Sequence, residues 1–288
     1  MRSGIPSFVR SSAAATNIMM KSSSVSKPLV IFCHGSGDTG AGAQAWIEHL
    51  VPQHSVLQTM DWVFPSATPR PYSLNGGITT SVWFDRIGGF APTFPEQTES
   101  IEESCNQLLE LIQNRLEEDP TLHPSQIALA GFSMGGAMAL QTTARWQAYH
   151  AAEKGSLGAV VGMSCYLNND SHVWELLSLQ SSDKSEASAS NWPPVWMAHG
   201  ELDDFVLPEW GHATYTRLQA SGVVNASFRQ VPYTHHDMTP TEIAEVIQFI
   251  SDSLNDDNKK KQHSTVTADT NNNNNAQCQD QKAQNRET

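Results

Sequence analysis

The sequence predicts an α/β domain built on a mostly parallel sheet. Three observations carry this. Short apolar runs of strand length alternate with helix-like segments over residues 28–254. No internal repeat breaks this alternation. One run, "QIALAG" (126–131), leads straight into a glycine–serine–glycine turn that opens a helix-like segment.

In chain order, "PLVIFCH" (28–34) is the first strand-like run. It is followed by the glycine-rich loop "HGSGDTGAG" (34–42) and a helix-like segment near 43–54. An apolar run, "WVFP", begins after Asp61, and a long helix-like segment covers 98–118. "QIALAG" is a buried strand. "AMALQTTARWQAYHAAEK" (137–154) is rich in Ala, Leu, Met and Gln, which lose little on entering a helix. "LGAVVGMS" (157–164), "PPVWMAHG" (193–200) and "ASFRQVPY" (226–233) are further strands, with helix-like segments near 208–221 and 240–254. "SLQSSDKSEASASNWPP" (178–194) reads as a surface loop, and strands on both sides of it keep residues 28–254 one domain.

Both ends differ in composition. Residues 1–27 hold Arg2, Arg10, Lys21 and Lys27, no acid, and many Ser and Ala. That composition fits an organelle transit peptide (mitochondrion or plastid) or a disordered N-terminus. Residues 255–288 are polar and of low complexity ("NNNNN"), with too little apolar surface to offset ordering entropy, so a disordered tail is expected. Four cysteines without C-x-x-C spacing indicate neither a zinc site nor a disulfide framework. A reduced, cytoplasmic setting is the expectation, with an organelle as the alternative.

The net charge is −13, and residues 28–251 alone carry −16. Nucleic acid is a poor partner for such a surface, which suits neutral or cationic substrates better than polyanions. No apolar run is long enough to span a bilayer.

"GFSMG" (131–135) fits G-x-S-x-G, with a strand before it and a helix after it. In that setting the serine is a nucleophile held on a sharp turn that side chains at the flanking glycines would crowd. The rival glycine motif is Gly35-Ser36-Gly37-Asp38-Thr39-Gly40, which matches the dinucleotide fingerprint G-x-G-x-x-G. Its ribose-binding acid should end a strand about 20 residues on, but Asp61 begins one. The same loop serves a serine hydrolase better, by bringing a backbone N–H to an oxyanion.

A serine nucleophile needs a base, and the base an orienting acid, in the chain order Ser, acid, His. "HGELDDFVLP" (199–208) offers Asp203 or Asp204 just past a strand, and "YTHHDMTPTEI" (233–243) offers His235 or His236. The two histidines and Asp237 lack any metal-ligand spacing. His34 and His199, each before a glycine at a strand end, read as structural.

Taken together, "HGSGDTGAG", "PSATPRPYSLNGGITTSVWFD" (65–85), "GFSMGGAMAL", "MSCYL" (163–167), "HGELDDFVLP" and the final histidine segment resemble the acyl-protein thioesterase/lysophospholipase family of α/β-hydrolases, also described as phospholipase/carboxylesterase. The resemblance implies an α/β-hydrolase fold over about 28–254. It makes Ser133 the nucleophile, Asp203 the acid and His236 the base. It assigns the oxyanion N–H groups to Ser36 and Met134, and a site floor shaped by Asn75, Trp83 and Asp85. Met134 replaces a usual glutamine and contributes only its N–H, Ser36 replaces a larger apolar residue, and the His-His pair is unusual. The implied activity is ester or thioester hydrolysis, first on S-acylated proteins, then on lysophospholipids or small acyl esters, with no metal or organic cofactor. The reading from another class is a hydrolase-fold ligand-binding protein without catalysis.

Overall fold

The computed structural model describes residues 26–51, 57–181 and 192–255. Most of the N-terminal segment, all of the tail beyond 255 and most of the 178–194 loop lie outside the described residues.

Six strands form one parallel sheet: β1 (Leu29–Cys33), β2 (Asp61–Val63), β5 (Ile127–Phe132), β6 (Ala159–Met163), β7 (Val195–Gly200) and β8 (Ala226–Val231). Their order is β2-β1-β5-β6-β7-β8, so β5 and β6 lie at the centre. Every neighbouring pair is parallel. Two short strands, β3 (Arg70–Tyr72) and β4 (Ile78–Thr80), make a separate antiparallel hairpin. The helices are α1 (Gly40–Leu50), α2 (Thr98–Glu118), α3 (Met134–Tyr149), the single turn α4 (Ala151–Lys154), α5 (His172–Ser181), α6 (Pro208–Ala220) and α7 (Pro240–Leu254).

Strand alternation divides the interior into two cores. Leu29, Ile31, Leu129 and Met197 face Leu108, Ile112, Leu140, Val173 and Leu218 on α2, α3, α5 and α6. Val30, Phe32, Ala130 and Val161 face Ala43, Ile47, Ile243, Val246 and Ile250 on α1 and α7. Because both faces of the sheet are covered, its inner strands read as unbroken apolar runs. Each fully buried aliphatic side chain contributes about 1.5–3 kcal/mol, so the sheet edge that carries the loops rests on a rigid base.

The expected parallel α/β architecture is present, with differences in detail. The first helix begins at Gly40, earlier than expected, with Thr39 capping it by accepting from Gly42 N. A Cβ on Gly40 would sit 1.9 Å from the Phe64 carbonyl oxygen, so the last glycine of the G-x-G-x-x-G run serves close packing against the chain after β2. Helix α5 was not expected. It precedes and runs into the start of the 178–194 stretch that reads as a loop, and it buries Val173, Leu176 and Leu177. The strand β2 takes in Trp62 and Val63 of the run "WVFP" and begins at Asp61, whereas the β3–β4 hairpin is too short and too exposed to leave an apolar run. Among the described residues, no helix is long and apolar enough to cross a membrane.

Candidate active site

The site forms at the carboxyl edge of the sheet, where loops following β1, β5, β7 and β8 converge. Ser133 stands between β5 and α3 with φ 54° and ψ −122°, a conformation costly for a residue with a side chain. The surrounding glycines make it attainable. A Cβ on Gly131 would lie 2.3 Å from the Gly135 carbonyl carbon, and one on Gly135 would lie 2.0 Å from the Cys33 carbonyl oxygen. The helix start is thereby pressed against both β1 and β5, and the Ser133 N–H is fixed by the Met163 carbonyl at 2.8 Å.

Ser133 Oγ lies 2.9 Å from His236 Nε2, and His236 Nδ1 lies 2.7 Å from Asp203 Oδ2. A carboxylate only accepts, so Nδ1 carries the proton and Nε2 is free to accept from the serine. The Asp203 side chain is completely hidden. Burial alone would push its pKa up, but hydrogen bonds from His199, His236 and the Val206 N–H outweigh this and hold it well below the usual carboxylate range. Its Oδ1 accepts from the N–H groups of Phe205 and Val206 at 3.0 and 2.9 Å. Phe132 and Phe205 flank the His236 ring, with centroids 4.8 and 5.1 Å away, and limit its rotation.

The alternatives lie outside this chain of contacts. Asp204 and His235 have side chains 88% and 66% exposed and stand 4.0 Å from one another. His199 is closer to the chemistry than its sequence position suggests. Its Nε2 lies 3.2 Å from Asp203 Oδ2 and 2.7 Å from the Val206 carbonyl, so its N–H helps orient the buried acid. The available signal was its place four residues before Asp203, but only the folded turn brings the two together.

The loop after β1 runs beside the nucleophile: a Cβ on Gly35 would lie 3.6 Å from Ser133 Cβ. His34 is fully buried and bonds the Gly35 carbonyl through Nδ1 at 2.7 Å, while its Nε2 accepts from Ala67 N at 3.0 Å. Burial lowers its pKa, although the Gly35 carbonyl and Asp38 pull the other way, so it is held neutral. Because the peptide is planar, anchoring the Gly35 carbonyl also sets the direction of the Ser36 N–H. Met134 opens α3, where its N–H has no intrahelical acceptor.

Trp83 is fully buried and donates to the His34 carbonyl at 2.9 Å, so it underpins this loop from within. Asp85 accepts from Ser73 N, Ser73 Oγ and Arg86 N, tying the β3–β4 hairpin to the segment after it. Asn75 lies in the hairpin's 3₁₀ turn, where its amide approaches Thr80 Oγ1 at 3.4 Å. Arg86, Phe90, Tyr166 and Phe205 also line this end of the molecule.

Comparison with known proteins agrees with this architecture. The model of the family described as phospholipase/carboxylesterase matches residues 14–254. Lysophospholipase-like protein 1 of Mus musculus is 32% identical over 222 residues, covering 77% of this chain and 84% of that protein. Acyl-protein thioesterase 1 of Debaryomyces hansenii is 29% identical over 231 residues, covering 79% and 92%. The crystal structure of Zea mays acyl-protein thioesterase 2 superposes with a TM-score of 0.66 at 25% identity, over 81% of this chain and 96% of that one.

Proposed function

Since the chain belongs to the phospholipase/carboxylesterase family of α/β-hydrolases, as the match over residues 14–254 establishes, we propose that it is a serine hydrolase of carboxylic thioesters and esters, with Ser133, His236 and Asp203 as its triad. The observation that carries this reading is the run of contacts at 2.9 and 2.7 Å from Ser133 through His236 to a hidden, ionised Asp203.

In the proposed mechanism Ser133 Oγ attacks the acyl carbonyl carbon while its proton passes to His236 Nε2. The imidazolium is stabilised by Asp203. The tetrahedral oxyanion takes hydrogen bonds from the Ser36 and Met134 N–H groups, and loss of one such donor costs about 2.7–4 kcal/mol of barrier. The C–S or C–O bond then breaks, and the leaving thiolate or alkoxide takes the proton from His236. Water attacks the acyl-serine with His236 as base, releasing the carboxylic acid and restoring Ser133.

The names of the relatives support an S-acylated protein as the first substrate class. A lysophospholipid is the second, supported by the Mus musculus relative. The test compares wild type and Ser133→Ala on a palmitoyl-cysteine thioester peptide and on short phenyl esters. The variant is expected to lose at least about 10³-fold in kcat on whichever substrate is turned over. Wild-type turnover by Ser133→Ala would end the reading.

A further inference from the structure

Two arginines are buried among the described residues, and they are treated differently. Arg145 pairs with Glu102 at 2.5 Å. Arg86, at 9% exposure, has no carboxylate partner among the described residues. Its guanidinium carbon lies 5.0, 5.9 and 4.9 Å from the ring centroids of Phe84, Phe90 and Tyr166. It donates to the Tyr166 hydroxyl, which donates to the Phe90 carbonyl. The neighbouring acids are committed elsewhere. Asp85 accepts from Ser73 and from the Arg86 backbone N–H. Glu96, which lines the same small cavity as Arg86, accepts from Gln141 and from His172 N.

This aromatic box is continuous with the active-site wall. Phe90 packs on Phe205 at 4.9 Å, and Phe205 packs on His236 at 5.1 Å. On the other flank, the buried Tyr72 hydroxyl faces Ser36 and lies within the field of Arg86. It has no hydrogen-bond partner of ordinary geometry among the described residues. A wall meant only for an alkyl chain would be apolar throughout. Here it holds a desolvated cation, which aromatic faces stabilise only in part, and a buried phenol whose hydroxyl faces the Ser36 side chain without a hydrogen bond of ordinary geometry.

We propose that Arg86 and Tyr72 form a subsite for the far end of the acyl group, selective for acyl chains that end in a carboxylate, that is, half-esters and half-thioesters of short dicarboxylic acids. The inference rests on the proposed ester-hydrolase chemistry of Ser133. A guanidinium offers a planar pair of charge-assisted donors that matches a carboxylate. The chain's net charge of −13 opposes an anion at long range, so Arg86 acts as a local attractor. An unsubstituted long chain would instead lay methylenes against an unpaired charge.

The test uses the full chain with the phenyl half-ester of adipic acid and with phenyl hexanoate. Wild type is expected to favour the half-ester at least tenfold in kcat/KM, and Arg86→Met to reduce that ratio at least tenfold. Preference for hexanoate in wild type, or an unchanged ratio in Arg86→Met, overturns the proposal. Thermal unfolding of Ser133→Ala with free adipate reads the subsite without turnover: adipate is expected to raise the Tm and hexanoate to leave it. Equal shifts, or none, overturn the subsite even if Arg86→Met fails to fold. Loss of the hydrolase reading looks different, since wild type would then turn over neither phenyl ester while the adipate shift persists.

Discussion

Replacing Asp203 by Asn keeps its shape and changes only what one corner of the side chain offers. If Oδ1 continues to accept from Phe205 and Val206 N–H at 3.0 and 2.9 Å, an NH₂ group takes the place of Oδ2. That group then faces His199 Nε2 at 3.2 Å and His236 Nδ1 at 2.7 Å, two donors against a donor. His199 cannot relieve the conflict by changing tautomer without giving up its bond to the Val206 carbonyl at 2.7 Å. His236 can, by moving its proton to Nε2, which is the atom that must accept from Ser133. The expected loss is about 10⁴-fold in kcat, or about 5.5 kcal/mol of barrier. The His199 N–H keeps the Val206 carbonyl at 2.7 Å and loses only its 3.2 Å contact to the acid, which lowers stability by about 1 kcal/mol. The assay is kcat on a short activated ester beside the thermal unfolding curve, with Asp204→Asn as the control. Asp204 has a side chain 88% exposed and should stay within about threefold of wild type. Asp203→Asn keeping more than a tenth of wild-type kcat, or Asp204→Asn falling as far, would refute the reasoning.

The adjacent histidines should separate in the same way. His236→Ala is expected to lower kcat by at least about 10³-fold, while His235→Ala, with its ring 66% exposed, leaves it near wild type; comparable losses in kcat assays of the two variants would reverse the assignment. Glu242 supplies a pH dependence of stability. Burial pushes its pKa up to about 7, with Glu245 and Asp237 adding to the rise and the Thr239 N–H and Arg229 opposing it. The folded chain therefore holds a proton that the unfolded chain releases above about pH 4.5, so this contribution to stability is present at low pH and is lost as pH rises toward 7. Glu242→Gln should flatten that slope and be more stable than wild type at pH 8 by up to about 3 kcal/mol. Urea unfolding at pH 5, 6, 7 and 8 measures it, and parallel slopes for the two proteins would count against the assignment.

What the sequence made legible was the chemistry that local sterics impose. Gly131 and Gly135 are required by contacts at 2.3 and 2.0 Å within the turn and against the adjoining strand, so G-x-S-x-G announces itself in the chain. The sheet was legible for a similar reason: strands covered on both faces must be apolar at every position. The choice between His235 and His236 was not open to pattern alone. It depends on which ring the turn sends inward, and that turn carries Tyr233 at φ 56°. His199 was missed because only the folded turn brings its Nε2 to Asp203, and Arg86 because only the fold shows it buried beside Phe84, Phe90 and Tyr166 with no carboxylate partner among the described residues. Helix α5 was missed because it is short and runs into a polar stretch, and its buried Val173, Leu176 and Leu177 join a core with α3 and the sheet that only the fold assembles.

The two arms of the site rest on supports of unequal strength. Ser133 follows β5, a strand buried at all six positions and paired on both sides. His236 follows β8, which pairs with β7 alone and buries only Val231 of its six residues. Local opening is cheapest where few apolar contacts and many exposed backbone bonds hold an element. On mild heating or at low denaturant the edge strand frays first and carries the base away from a nucleophile that is still in place. Inactivation then begins as a reversible event at the rim of the sheet, ahead of the cooperative melting that far-UV circular dichroism records, and cooling restores turnover without the chain ever having lost its core.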